Sequence, residues 1–231
     1  MSFNKKFFQT GGIVASSPAS APLPNDEISL WEFEGNFNDT NNVNNGTNNG
    51  VLITNGGNTP FGSNHGYWDN SNDYVDVGLS NLPADFTFTA WFKVPDKSDF
   101  RPVIGKWYDG ANRDFQLALF STSVSYPNGA VSFLYSDTGS DQITYTHTDT
   151  YSTNDWQFVA ISFDDQNQFI LNINGVNETV PISITQNRNT QNVFIGQEDY
   201  RRGDSIRGYI DQVRYFDRAL SAEELNALYN E

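Results

Sequence analysis

The last two dozen residues constrain the fold of this chain more than any other stretch. Residues 208–229 read GYIDQVRYFDRALSAEELNALY, and the part up to Phe216 has the composition of a strand. Because side chains alternate between the two faces of a strand, Asp211, Val213 and Tyr215 are predicted to share one face. This prediction puts a carboxylate on a largely apolar face.

A short helix is predicted to follow this strand. Ser221 and Glu224 have the spacing of the N-cap and N3 residues of a capping box, and Leu220 and Leu225 fit the hydrophobic staple around it. The C-terminal end is therefore predicted to be a strand, a turn and one capped helix.

Short segments rich in β-branched and aromatic residues fill most of the remaining chain, and turn-forming sequences separate them. The turn signals are Asn45-Gly46, Asn49-Gly50, Asn55-Gly56-Gly57, Pro127-Asn128-Gly129, Asp164-Asp165 and Asn174-Gly175. The clearest hairpin runs over residues 156–163 and returns over 168–174, and residues 86–94, partly apolar on both faces, predict a central strand. This pattern is typical of an all-β jelly-roll sandwich.

Composition limits the partners of the chain. It has 231 residues, a formal net charge of −15 and no cysteine. This charge argues against binding nucleic acid through its phosphates and against docking on an anionic membrane, and no stretch approaches the roughly 18 apolar residues of a membrane span. Acidic, Asn-rich sequences favour hard cations such as calcium, and without disulfides the core must supply the stability.

Several ordered blocks of sequence resemble one family. The blocks are WEFEGNFNDT from Trp31, DYVDV from Asp73, FTFTAWFKV from Phe86, DWQFVAISFDDQNQFILNING from Asp155, NVFIG from Asn192 and the C-terminal run. Together they resemble the laminin G-like members of the concanavalin A-like lectin and glucanase superfamily over residues 26–231. The resemblance implies a concanavalin A-like jelly-roll sandwich of two antiparallel sheets with one short C-terminal helix, preceded by an extended N-terminal arm at residues 1–25.

The resemblance also implies a structural calcium site. Laminin G-like domains often hold this ion between an aspartate of the last strand and the loop after the first strand. The matching positions here are Asp211 and, as its partners, Glu34, Asp39 and carbonyl groups of the Asn-rich loop. From the residues alone, a carboxylate on an apolar face needs a cation or several donors, so the alternative is that Asp211 accepts backbone N–H bonds or pairs with an arginine such as Arg207.

Two polar and aromatic loops, residues 106–114 and 197–202, have the composition of a sugar-binding site. Such sites combine a flat aromatic face with amide, carboxylate and guanidinium groups that bond hydroxyls. The candidate ligand-binding residues are Trp107, Tyr108, Arg113, Tyr200 and Arg201. The alternative is that Trp107 packs inward while the charged side chains are solvated.

Catalysis has little support in the sequence. Glucanases of the superfamily carry a Glu-x-Asp-x-x-Glu run on one strand, and this sequence contains no such run. It also contains no Gly-x-Ser-x-Gly elbow and no cysteine nucleophile, and its two histidines are far apart. We therefore expect a binding protein rather than an enzyme.

The N-terminal arm has the composition of an anchor. Phe3, Phe7 and Phe8 lie beside two lysines, which is an unusual set to leave in water, and small residues, Ser and Pro follow. The first sixteen residues, MSFNKKFFQTGGIVAS, are similar to the N-terminal segments of virion proteins from marine tailed phages. We interpret the arm as a segment that binds other virion structural proteins; the alternative is a disordered terminus with incidental aromatics.

These features together predict a non-catalytic protein of the virion surface, a capsid decoration or a tail or fibre adhesin, whose lectin-like domain binds a cell-surface glycan. Copies on one particle would form a homo-oligomer. Two alternatives stay open: a purely structural virion domain without glycan binding, and a secreted, extracellular bacterial carbohydrate-binding module. Secretion requires cleavage after Ala21, which we do not expect because polar residues interrupt the apolar N-terminal stretch.

Overall fold

Fifteen strands and one helix make up the described part of the chain. The computed structural model describes residues 21–56, 58–69, 72–98, 100–108, 112–121, 127–165, 167–182, 187–197 and 204–231. The strands are β1 (Ser29–Trp31), β2 (Thr47–Asn49), β3 (Leu52–Asn55), β4 (Asn64–Tyr67), β5 (Tyr74–Asp76), β6 (Phe86–Lys93), β7 (Arg101–Trp107), β8 (Arg113–Phe120), β9 (Ala130–Tyr135), β10 (Ile143–Thr150), β11 (Gln157–Asp164), β12 (Gln168–Ile173), β13 (Val176–Pro181), β14 (Phe194–Ile195) and β15 (Tyr209–Phe216). The helix α1 spans Ala222–Tyr229.

The strands form two antiparallel sheets. The back sheet has eight strands in the order β13-β12-β11-β6-β15-β4-β3, with β1 also paired to β15. The front sheet has seven strands in the order β10-β9-β8-β7-β14-β5-β2. The predicted jelly-roll sandwich is confirmed, as are the hairpin of β11 with β12 and the central position of β6 between β11 and β15.

Aromatic side chains from both sheets fill the space between them. Phe86 and Phe88 of the back sheet lie 5.0 and 5.5 Å, centroid to centroid, from Phe115 of the front sheet. Phe133 of the front sheet lies 6.0 Å from Phe163 of the back sheet, and all five rings are fully buried. Because aromatic rings bury the largest apolar areas of any side chains, these contacts hold the sandwich together without disulfides.

The helix α1 packs on the outer face of the back sheet. Ser221 Oγ accepts the backbone N–H of Glu224 at 3.2 Å, and the Glu224 carboxylate accepts the N–H of Ser221 at 2.8 Å, which confirms the capping box. Leu225 and Leu228 are buried in a cluster with side chains of β11, β12 and the end of β15. No described residue of β3 or β4 belongs to this cluster, so the helix covers only part of the face. The described residues include no helix that is long and apolar enough to cross a membrane.

The face prediction for the last strand is wrong at Asp211. The register between β15 and β6 shifts after Asp211, and Gln212 adopts a left-handed φ of 48°, which marks a β-bulge. Val213 and Tyr215 belong to the core between the sheets. Asp211 is instead opposite Trp91, whose ring contacts α1, so the carboxylate lies on the outer side of the back sheet.

Candidate binding groove and cation site

A surface groove of about 360 Å³ lies on the outer face of the front sheet. We call it the Tyr108 groove; its lining residues are Tyr74, Asp76, Tyr108, Thr190, Gln191, Asn192 and Phe194. Val75 of β5 and Ile195 of β14 are paired and belong to the core. Alternation along the two strands therefore turns Tyr74, Asp76 and Phe194 outward, into the groove.

Three aromatic rings line the Tyr108 groove. The Tyr74 and Phe194 rings lie 4.7 Å apart, centroid to centroid, with an interplanar angle of 32°. The Tyr108 ring lies 5.5 Å from that of Phe194 at 55°. Clustered rings of this kind provide an apolar surface for the C–H groups of a ligand such as a sugar.

Polar groups also line the groove. Asn192 donates from Nδ2 to Asp76 Oδ2 at 3.1 Å, and its own carbonyl accepts the Tyr108 hydroxyl at 3.3 Å. The second Asp76 oxygen accepts the backbone N–H of Gly78 at 2.9 Å. The carboxylate and the amide are thus held in place beside the rings. Small-molecule sites orient hydroxyl-rich ligands by this arrangement, in which a few fixed polar groups lie beside apolar side chains.

A buried ion network holds the segment that forms the groove wall. Lys106 Nζ donates to the carbonyls of Ser80 at 2.6 Å and Asn189 at 2.5 Å, and lies 3.4 Å from the Asp114 carboxylate. Arg188 Nη1 lies 3.3 Å from the other Asp114 oxygen. Burial lowers the pKa of Lys106 and raises the pKa of Asp114, so each charge depends on its partners. The network therefore ties the residues just before Thr190 to the front sheet.

Asp211 is a buried carboxylate with one oxygen unpaired. Its Oδ1 accepts the N–H of Gln212 at 2.8 Å, whereas its Oδ2 has no hydrogen-bond partner among the described residues. The residue is fully buried. Burial, together with the negative charges of Glu34 and Glu32, raises the pKa of Asp211 to about 8. A carboxylate in this position either carries a proton or needs a cation.

Glu34 is exposed and is held by the turn before β4. Its carboxylate accepts the backbone N–H groups of Ser63 at 2.7 Å and Asn64 at 2.9 Å and the Asn64 side-chain amide at 2.9 Å. Burial is the largest single influence and opposes ionisation, but these three bonds together outweigh it and lower the pKa of Glu34 below its ordinary value. Gly62, with φ of 62°, permits this contact, because a Cβ at that position would overlap the Glu34 carboxylate.

Asp39 organises the Asn-rich loop. Its Oδ1 accepts the backbone N–H groups of Leu30 and Asn41, and its Oδ2 accepts those of Val43 and Asn44, all at 2.9–3.0 Å. Burial alone would raise the pKa of Asp39, but these four N–H groups lower it. Each oxygen therefore already accepts two backbone N–H groups, and the predicted role of Asp39 as a partner of Asp211 at a calcium ion stays a prediction.

Glu34 and Asp39 line one cavity of about 250 Å³ with Glu32 and asparagines of the loop. Between the two glutamates, Phe33 is buried with φ of 54°, a strained conformation for a non-glycine residue. No group of three acidic or histidine side chains in the described part of the chain is placed to hold a metal ion. The predicted calcium site therefore remains a prediction, with Asp211 as its strongest member.

Similarity to a known protein family identifies the superfamily of the domain. A laminin G family model, described as Concanavalin A-like lectin/glucanases superfamily, matches residues 69–226. The chain belongs to this superfamily. No curated protein is significantly similar to the sequence.

Several solved structures share the fold of this chain at low sequence identity. Domain 4 of AbnA, an extracellular arabinanase of Geobacillus stearothermophilus in complex with arabinotriose, aligns with a TM-score of 0.68 and 13% identity over 88% of this chain and 98% of that domain. The ligand-binding domain of botulinum neurotoxin serotype D, in complex with N-acetylneuraminic acid, aligns with a TM-score of 0.67 and 18% identity over 89% of this chain and 50% of that domain. The binding domain of Paraclostridial Mosquitocidal Protein 1 aligns with a TM-score of 0.65 and 21% identity over 87% and 51%. This chain therefore spans about half the length of the toxin binding domains.

Three of the predicted ligand-binding residues, Trp107, Tyr108 and Arg113, lie in the described part of the chain, and only Tyr108 of these three lines the groove. Trp107 is instead only 3% exposed and packs in a small cluster separate from the core between the sheets. Lys106 and Asp114 of the same predicted loop are fully buried rather than solvated. Arg113 donates to the carbonyl of Ser140 at 2.8 Å and lies over the Trp107 ring. Tyr200 and Arg201 lie outside the described residues, as do the predicted anchoring residues Phe3, Phe7 and Phe8.

Most residues of the Tyr108 groove are not among those that the sequence predicts as ligand-binding. The alternation in DYVDV was a usable signal, because it places Tyr74 and Asp76 on the face opposite the apolar Val75. Phe194 and Asn192 carried no comparable signal. They meet Tyr108 only because β14 lies between β7 and β5, and strand order is not encoded in local periodicity.

Removing the Asp39 carboxylate should destabilise the domain. Asp39→Ala leaves four backbone N–H groups of the loop without their acceptor, so we expect the free energy of unfolding to fall by roughly 2–4 kcal/mol. Because the folded-state pKa of Asp39 is lowered, this stabilisation is complete above the ordinary carboxyl pKa and is lost as the pH falls through the folded value. Urea unfolding measures both effects.

The matched control for this variant is Asp149→Ala, which removes an exposed carboxylate from the edge strand β10. We expect it to change stability by no more than about 0.5 kcal/mol. Equal stabilities of the two variants would contradict the role assigned to Asp39.

Proposed function

We propose that this chain is a non-catalytic carbohydrate-binding domain that recognises its ligand in the Tyr108 groove. One observation carries the proposal: three aromatic rings lie beside a fixed carboxylate and amide on an outward face of the sandwich. This combination matches the two surfaces of a sugar, whose C–H groups stack on rings and whose hydroxyls bond to planar polar groups. The absence of a Glu-x-Asp-x-x-Glu run from the sequence supports binding without hydrolysis.

The fold comparisons support the same proposal. The AbnA domain was determined with arabinotriose and the serotype D toxin domain with N-acetylneuraminic acid. Both share the architecture of this chain at low identity, so they support the class of ligand and not its identity. The proposal for this chain rests on its own groove residues.

Changing the groove should weaken glycan binding while the fold is retained. We expect the protein to bind a subset of glycans on an array, and Tyr74→Ala and Asp76→Asn each to weaken the best-bound neutral glycan about tenfold or more in calorimetry, since each removes a ring face or a charged hydrogen bond. Asp149→Asn is the charge-matched control and should bind normally. An array without any bound glycan would contradict the proposal and favour a purely structural domain.

We further propose that the domain is displayed on a virion, as a capsid decoration or a tail or fibre adhesin. The support is the similarity of residues 1–16 to N-terminal segments of marine tailed-phage virion proteins and the aromatic residues Phe3, Phe7 and Phe8 beside two lysines. In this proposal the arm buries its rings against another virion protein. The sandwich then projects its outer faces towards a host surface.

Removing the arm should release the protein from the particle. We expect the full chain to co-sediment with particles that lack it, and a protein starting at Asp26 to remain in the supernatant. A full-length variant with serine at Phe3, Phe7 and Phe8 should also fail to sediment. Failure of the full chain itself to bind would contradict the virion role and favour a secreted binding module.

A structural calcium ion at Asp211 is the remaining element of the proposal. The support for a cation there is that Asp211 Oδ2 is buried without a hydrogen bond among the described residues, while the negative charges of Glu34 and Glu32 act on it. Asp39 would contribute by shaping the loop whose carbonyls are further donors. A bound calcium ion would compensate the buried charge and link the segment after β1 to β15.

Calcium should therefore raise the melting temperature of the wild-type protein, and a chelator should lower it. Asp211→Asn should melt at the same temperature with calcium and with chelator, because the variant has no buried charge to compensate. Asp39→Ala should melt lower and also respond less to calcium, because the loop that carries the further donors loses the carboxylate that organises it. A wild-type melting temperature that does not change with calcium would contradict this site.

A further inference from the structure

A second concave site lies on the back sheet, on the side that α1 leaves uncovered. This pocket of about 230 Å³ is lined by residues of β3, β4, β6 and the start of β15, and we call it the His65 pocket. Its floor is set by alternation: Ile210 and Phe92 belong to the core, so their neighbours Tyr209 and Lys93 lie on the outer face. The Tyr108 groove occupies the opposite face of the sandwich.

Aromatic rings form the walls of the His65 pocket. Tyr67 and Tyr209 stack with centroids 4.7 Å apart and an interplanar angle of 20°. The His65 ring stands edge-on to Tyr209 at 5.0 Å and to Trp156 at 5.5 Å. Four rings from three separate segments therefore surround one small volume, which offers the ring edges and faces that a pyranose can contact.

Polar atoms of the pocket are buried without partners. His65 is 5% exposed, yet its Nδ1 has no hydrogen-bond partner in the described part of the chain. The same holds among the described residues for Trp156 Nε1 and Thr54 Oγ1. Buried polar atoms normally have partners, and unpaired ones clustered in one pocket call for a ligand that supplies them. Since an indole nitrogen is only a donor, that ligand must present acceptors.

The charge of the pocket is opposite to that of the protein as a whole. Lys93 Nζ lies 5.7 Å from the centroid of the Tyr209 ring, and no described carboxylate forms an ion pair with it. No aspartate or glutamate of the described part of the chain lines the pocket, although the chain carries a net charge of −15. Glu34 acts on His65 electrostatically, but its carboxylate is already bound by three N–H groups of Ser63 and Asn64. The pocket is therefore rich in donors and locally cationic.

We propose that the His65 pocket binds an acidic saccharide, a pyranose that carries a carboxylate, with the carboxylate at Lys93 and the ring against Tyr209 and Trp156. Burial lowers the pKa of His65, with a further contribution from Lys93, so His65 is neutral and offers one donor and one acceptor to sugar hydroxyls. This site is independent of the Tyr108 groove and differs from it in ligand class, because the groove contains a carboxylate of its own at Asp76.

The indole N–H signal of Trp156 in a two-dimensional ¹H–¹⁵N spectrum tests the proposal directly, and Trp156→Phe assigns that signal. Titration of the full chain with D-galacturonic acid and N-acetylneuraminic acid should shift it in a saturable way for at least one of the two. D-Galactose has a sugar ring without a carboxylate, and acetate has a carboxylate without a ring. Each should bind about tenfold or more weakly than the acidic sugar. Equal binding of galactose or of acetate, or no saturable shift with either acid, would overturn the proposal.

Two lysine variants distinguish a direct contact between Lys93 and the ligand from a general effect of positive charge. Lys93→Met should weaken binding of the acid about tenfold or more, whereas Lys97→Met removes the same charge beside Tyr151, outside the pocket, and should leave binding unchanged. Asp76→Asn in the Tyr108 groove should also leave it unchanged, so failure of the groove and failure of this pocket are distinguishable. Unchanged binding in folded Lys93→Met would overturn the assignment.

Discussion

The interlocking of aromatic rings between the two sheets is the interaction on which the rest of the structure depends. Phe86, Phe88 and Phe163 of the back sheet meet Phe115 and Phe133 of the front sheet with no disulfide to assist them. Since this core uses one face of almost every strand, the chemistry available for recognition comes from the other face. Residues that alternate with inward-facing positions point outward from each sheet. On the front sheet these are Tyr74, Asp76 and Phe194, and on the back sheet they are His65, Tyr67 and Tyr209.

The two outer faces differ in what covers them and in their charge. On the back sheet, α1 packs over β11 and β12 and leaves the His65 pocket open beside it. On the front sheet, the buried network of Lys106, Asp114 and Arg188 fixes the wall of the Tyr108 groove. The groove contains a carboxylate and the pocket a lysine. One sandwich thus presents two concave surfaces of opposite charge character on its two outer faces.

Local signals in the sequence predict the parts of the fold that local physics determines. The structure confirms the capping box of Ser221 and Glu224 and the β11–β12 hairpin. Both could be predicted because caps and turns depend only on residues that are close in sequence. The bulge at Gln212 was missed, since a pattern of alternating residues does not show where an extra residue enters a strand. The groove was predicted only at Tyr108, because its other members come from β5 and β14, and their adjacency is a property of the whole sheet.

The most direct test of the account is a crystal structure of the full chain with the neutral oligosaccharide that binds best on an array. The account predicts a sugar ring against Tyr74 and Phe194, with hydroxyl groups within hydrogen-bond distance of Asp76 and Asn192. Sugar bound at another surface while the Tyr108 groove stays empty would contradict the central claim that this groove is the carbohydrate site.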